Sequence, residues 1–180
     1  MEQDRKQSKK ENRKERKKMD KAFVIAIVIC VVVVLTFILV LALIRPVSAL
    51  IRRGETIDRL ERTGEVRVVL TDPLEGGDSL FSTAEIILSD EEAVMMRDQL
   101  LYALENSEFD EMKEAPVGVW KTTATVYIGE DQVALYLDED SISVEWSGNL
   151  VTYEIKDRAE DSYESLYRRI RERLRTGDAA

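Results

Sequence analysis

The sequence predicts an α+β protein: a single N-terminal transmembrane helix followed by a two-layer domain, an antiparallel sheet with two helices in the order β-β-α-β-β-β-β-α. Three observations predict it. Residues 22–44 form an unbroken apolar run; beyond Glu65 the apolar spacing switches from helical to alternating; and two later segments return to a helical stripe.

The apolar run reads AFVIAIVICVVVVLTFILVLALI, with no charge, Gly or Pro, and with Thr36 as its one hydroxyl. At ~1.5 Å per residue, a helix of this length is about 34 Å long, enough to cross a ~30 Å hydrocarbon core. A helix also satisfies every backbone hydrogen bond internally, which lipid demands. The competing reading is a cleavable signal peptide, because Val47-Ser48-Ala49 has the small residues of a cleavage site. Against it, the run exceeds the ~7–15 residues of a signal core, and Arg45 and Pro46 stand before the site. Ala22, Ala26 and Cys30 recur every fourth residue, a small-residue face that weakly favours helix association.

Lys and Arg set the orientation. Residues 1–21 carry ten of them, against Arg45, Arg52, Arg53, Arg59 and Arg62 beyond the run. The expected topology is a basic cytoplasmic tail (1–21), a span (22–44), a juxtamembrane helical stalk (45–64), an extracytoplasmic domain (65–176) and a disordered end (177–180). The tail nets +5, from ten basic and five acidic residues. From Arg45 onward, 16 basic and 30 acidic residues leave −14. Nucleic acid is excluded as a partner of the acidic part, since phosphate binding needs cationic side chains. The tail has the charge but no aromatic residue to stack a base; it reads as a topogenic, largely solvated segment, with contact to anionic lipid headgroups as the functional alternative.

In the stalk, Val47, Leu50, Ile51, Ile57 and Leu60 keep a roughly helical spacing, with Pro46 suited to a first turn, Gly54 as an interruption and Gly64 as a stop. Val66, Val68 and Leu70 alternate with Arg67 and Val69, predicting a strand that ends at Asp72-Pro73. Glu75-Gly76-Gly77-Asp78 reads as a loop and 81–88 as a second strand. Ser89-Asp90-Glu91-Glu92 has capping-box form and opens a helix to about Glu105, with Ala93, Met96, Leu100, Ala103 and Leu104 on one side. Residues 106–116 are polar and acidic, a loop that Phe109 and Met112 are expected to tuck down. Four strands follow, at about 117–128, 133–137, 142–146 and 150–155, joined by short polar turns into a meander. The closing helix, about 157–175, aligns Ala159, Tyr163, Leu166, Ile170 and Leu174, with arginines crowding its last turns where cations suit the helix dipole.

This pattern is similar to helix-on-sheet folds of the TATA-binding-protein-like or helix-grip kind, which implies an architecture and no activity. The whole plan of basic tail, single span, stalk and acidic His-free domain resembles single-pass membrane proteins of Gram-positive bacteria with a small extracytoplasmic domain.

Residue chemistry narrows function further. There is no His, and Cys30 is the single Cys, within the apolar run. The usual general base, the Ser-His and Cys-His pairs, disulfides within the domain, and zinc or iron–sulfur sites therefore lack their residues. Asp138-Glu139-Asp140-Ser141 faintly resembles the start of a calcium loop, but Ser143 and Asn149 stand where an EF-hand needs Gly and Glu. Asp72, Glu75 and Asp78 read as a flexible loop rather than a cation site. No S-x-x-K or Gly-rich phosphate loop occurs, and many carboxylates alone define no glycosidase pair. No catalytic residue, metal or cofactor is expected.

Trp120 and Trp146 share parity with the apolar residues of their strands and belong in the core. Tyr127 and Tyr136 have the opposite parity and are expected to meet across their hairpin. The candidate binding surface is the open sheet face with Thr123, Thr125, Tyr127 and Tyr136. The expected function is a membrane-anchored, non-catalytic module binding a protein, peptide or envelope component. One alternative is an accessory subunit recruited through its span and stalk; another is a membrane-tethered, carboxylate-dependent hydrolase. Ligand, partner and oligomeric state are not legible.

Overall fold

A computed structural model describes residues 2–73, 83–116 and 121–176. It is α+β, with a long N-terminal apolar helix and an antiparallel sheet that carries two further helices. The chain forms two compact units, Met1–Arg45 and Pro46–Ala180.

The first unit is helical, part of α1 (Glu2–Leu60). Of the helices among the described residues, one, at Phe23–Leu60, is long and apolar enough to cross a membrane; its most apolar 18-residue window has mean hydropathy 3.6 and is 0% buried in protein. Thr36 donates its hydroxyl to the Val32 carbonyl at 2.8 Å, so its polar group needs no outside partner.

The second unit is built on a sheet ordered β2-β1-β5-β6-β7-β8-β3, with every pairing antiparallel. Its strands are β1 (Val66–Pro73), β2 (Thr83–Leu88), β3 (Ser107–Phe109), β4 (Ala115–Pro116), β5 (Thr122–Ile128), β6 (Asp131–Leu137), β7 (Ser141–Trp146) and β8 (Asn149–Ile155). The meander β5–β8 follows the short polar turns. At Ser147-Gly148 both φ angles are positive (50° and 80°), as a two-residue type I′ hairpin requires. The meander does not close beside the first hairpin in sequence order: β1 sits between β2 and β5.

Period-two alternation sends one residue set to each face. The rows Val68–Val126–Val133, Leu70–Ala124–Leu135–Val144–Val151 and Leu137–Ile142–Tyr153 lie on one face and are buried. Helices α2 (Asp90–Glu105) and α3 (Glu160–Thr176) cover that face with Ala93, Leu100, Ala103 and Leu104, and with Tyr163, Leu166, Ile170 and Leu174. Trp146 is half-buried against the same core. At the end of β1, buried Asp72 accepts hydrogen bonds from Thr122 Oγ1 (2.8 Å) and Arg171 Nη1 (2.5 Å), tying α3 to the sheet.

Several local expectations give way to tertiary contacts. α1 runs through Pro46 and Gly54 rather than starting at the first or breaking at the second. Residues 46–60 lie within the second unit, where Ala49, Thr56 and Leu60 are buried. The Tyr153 hydroxyl donates to the Ala49 carbonyl at 2.7 Å, and Arg52, Arg53 and Arg59 donate to the carbonyls of Glu145, Ser107 and Gln132. Instead of a plain stalk, the segment is a third helical cover on the core face. Ser89 forms no side-chain cap; its hydroxyl turns to Asp90, so the capping box is not made.

The 106–116 loop holds two short strands, β3 and β4, both paired to β8, because the sheet edge offers free backbone groups. Phe109 packs on the core as expected, but Met112 is 93% exposed. Expectations for the 75–78 loop, for the first residues of strands 81–88 and 117–128 including Trp120, and for residues 177–180 lie outside the described residues.

Candidate functional site

The face of the sheet away from the helices carries the four candidate residues. Thr123, Thr125 and Tyr127 alternate along β5 with the buried Thr122, Ala124, Val126 and Ile128, and Tyr136 lies on β6 with the same outward parity. All four are half-buried. Thr123 is paired directly with Tyr136, Thr125 with Ala134 and Tyr127 with Gln132.

The two tyrosines therefore share a face but do not meet. Tyr136 lies four residue steps from Gln132, the partner of Tyr127, or about 14 Å along the strand. Parity alone specified the face; only the hairpin register specifies the distance.

Strand order extends the surface to residues that no local pattern marks. Because β1 lies beside β5, Arg67, Val69 and Thr71 stand next to Tyr127, Thr125 and Thr123. β2 adds Ile87 beside Val69 and Glu85 beside Thr71. The Arg67 guanidinium sits 4.5 Å from the centroid of the Tyr127 ring, a cation–π contact that occupies that face of the ring. The result is three rows: Arg67–Tyr127–Gln132, Ile87–Val69–Thr125–Ala134 and Glu85–Thr71–Thr123–Tyr136. Burial first, then the nearby Glu145 carboxylate, holds the Tyr136 hydroxyl above its ordinary pKa, so it is a neutral hydrogen-bonding group.

Toward β7 and β8 the same face is closed over. Tyr136 is followed across the sheet by Ser143 and Thr152, both buried and hydrogen-bonded to each other at 2.8 Å. The Thr152 hydroxyl donates to the Lys113 carbonyl, and its own carbonyl accepts from the Asp110 amide. Lys113 then pairs with Asp140 at 2.7 Å. That hydrogen bond raises the Lys113 pKa and lowers that of Asp140. Among the described residues, no helix covers the β2-β1-β5-β6 part of this face.

The calcium-like turn is an ordinary hairpin. Asp138 faces Lys121 and caps the Glu139 amide, while Asp140 faces Lys113. Among the described residues, no group of three or more His, Cys, Asp or Glu side chains is placed to hold a metal ion.

Small cavities flank the core, among them two lined by described residues. One of about 200 Å³ lies between Arg52, Thr56 and Arg59 of α1 and the diverging ends of β6 and β7. The other, about 190 Å³, lies between α2 and α3 beside Met95 and Met96. Each is lined by one carboxylate, Glu145 and Glu92 respectively, and each of these lies beside arginines.

These features define a class by architecture: an antiparallel sheet covered by helices on one face and, among the described residues, with no helix over half of the other. Compared with protein-family models, with curated proteins and with solved structures, the chain matches none.

Proposed function

We propose that this is a single-pass membrane-anchored protein, N-terminus cytoplasmic, whose extracytoplasmic domain is a non-catalytic interaction module. The carrying observation is the half-buried, mixed Thr, Ala, Val and Tyr surface on β1, β5 and β6, which no described helix covers although the opposite face is fully packed. A flat face of alternating small and aromatic side chains suits another protein surface better than a sugar. Stacking a sugar needs bare rings, and Arg67 already occupies one face of Tyr127. A protein or peptide is therefore the favoured partner.

One observation supports the anchor. Ala49 is a core residue whose carbonyl is held by Tyr153, so cleavage after Ala49 would cut the chain at a packed position. The accessory-subunit reading is favoured only by the exposed apolar residues of α1.

The test is photo-crosslinking in intact membranes, with a crosslinking residue at Thr125 or Tyr136 and, for comparison, at Glu164 on the exposed side of α3. A discrete adduct is expected from the two sheet positions and not from the helix. Val69→Arg, on the middle row of the face, should abolish it while leaving the far-UV CD spectrum unchanged. Equal adducts from Glu164, or adducts indifferent to Val69→Arg, would remove the sheet face as the site.

A further inference from the structure

Residues 46–60 leave one side of α1 bare. Their buried side faces the sheet through Ala49, Thr56 and Leu60, but Val47, Leu50 and Ile51 are 50%, 60% and 56% exposed. Spaced i, i+3 and i+4, they form one stripe rather than a scatter. Arg52 and Arg53 turn the other way, to the carbonyls of Glu145 and Ser107 on the sheet side, and no acidic residue occurs between Lys21 and Glu55. This is a small apolar zone free of carboxylates on a part of the chain whose net charge is −14.

We infer that this stripe seats the domain on the lipid headgroup layer, with Val47, Leu50 and Ile51 entering the boundary between headgroups and acyl chains. The inference rests on the reading of residues 22–44 as a span. Two residues, Arg45 and Pro46, separate Ile44 from Val47, so three Cα-to-Cα steps reach about 11 Å at most and the stripe is held near the bilayer surface whatever path the chain takes. Exposed aliphatic side chains on one side of a helix, in a stretch without carboxylates, suit the boundary between headgroups and acyl chains. A second copy of the chain fits less well. The stripe is only one and a half turns long before Gly54 and Asp58 interrupt it, and two domains of net −14 repel each other. The segment thus serves as a seat rather than a spacer.

The experiment uses the full chain in vesicles of mixed zwitterionic and anionic lipid, in a Cys30→Ser background. An environment-sensitive fluorophore is placed singly at Leu50→Cys, Ile51→Cys, Val33→Cys or Glu130→Cys, with quenchers attached to lipid at shallow or deep positions. Labels at 50 and 51 are expected to emit blue-shifted and to be quenched by the shallow quencher. The label at 33 should answer to the deep quencher and that at 130 to neither. Labels at 50 and 51 that behave like 130, while 33 stays deep, would overturn the seat and leave the span standing. A label at 33 that escapes both quenchers would remove the span, and the seat with it. Label-to-label proximity at 50 that survives dilution with lipid would assign the stripe to a second copy and overturn the inference.

Discussion

Tyr153 shows how one side chain joins two parts of the fold that lie far apart in sequence. It is buried on the core face of β8, and its hydroxyl donates to the carbonyl of Ala49 on α1 at 2.7 Å. Burial drives its pKa from 10.0 to about 12, with Arg53 and Arg52 opposing the shift. A folded-state value above the unfolded one means that folding favours the protonated hydroxyl. That contribution is fully present below pH ~10 and is lost as pH rises through about 12. Tyr153→Phe should cost about 1 kcal/mol at pH 7, the net worth of one buried hydrogen bond. Urea unfolding should also show the variant losing less stability than the parent between pH 9 and 11.5. An unchanged pH slope would mean that Tyr153 is not the group titrating; Tyr163, raised well above its ordinary value by burial, is present in both proteins. The sequence marks Tyr153 as a strand residue, but its partner at Ala49 follows only from packing.

At the scale of elements, local pattern predicted what repeats and missed what is borrowed. The stripes of α2 and α3 and the alternation of β1, β5 and β6 were legible because each of these elements buries one of its own faces. β3 and β4, of three and two residues, have no periodicity to read and exist because the β8 edge accepts them. Residues 46–60 hold their helix through Gly54 because buried Ala49 and Leu60, and the arginine bonds to strand carbonyls, fix the turns on either side. Gly54 then bears only its entropic cost. A Cβ built on it meets nothing within 4 Å, so Gly54→Ala should stabilise the domain by about 0.5–1 kcal/mol, raising the urea midpoint without altering the m-value. A loss of stability would show that the helix does not persist there.

For the whole molecule, the expected behaviour follows from a charge-free helix joined to an acidic domain. Carbonate at high pH strips proteins held by electrostatics alone, whereas burial of a 23-residue apolar run gives far more than any salt can reverse. The chain should stay with the membrane pellet after carbonate and after high salt. Protease added to intact cells should digest the acidic domain and spare a tag on residues 1–21. A tag clipped with the domain left whole would reverse the orientation, and release into the supernatant would end the membrane reading.

The candidate site was legible in part for the same kind of reason. Parity along β5 and β6 placed Thr123, Thr125, Tyr127 and Tyr136 on one face, because alternation is a local property of an extended backbone. That Arg67 stacks on Tyr127, that Ile87 and Glu85 border the surface, and that Lys113 and Asp110 close its far end all depend on strand order and register.

By itself, the sequence determined the apolar helix, the α+β class, the inward residues of each long element and the absence of imidazole and thiol chemistry from the domain. These follow from composition and from periods shorter than a single element. Tertiary structure alone decided that β1 enters between β2 and β5, that residues 46–60 join the core and that both described helices after the first pack on the same sheet face. Those outcomes turn on which of several apolar surfaces cover one another, a choice that residues distant in the chain make together and that no local window contains.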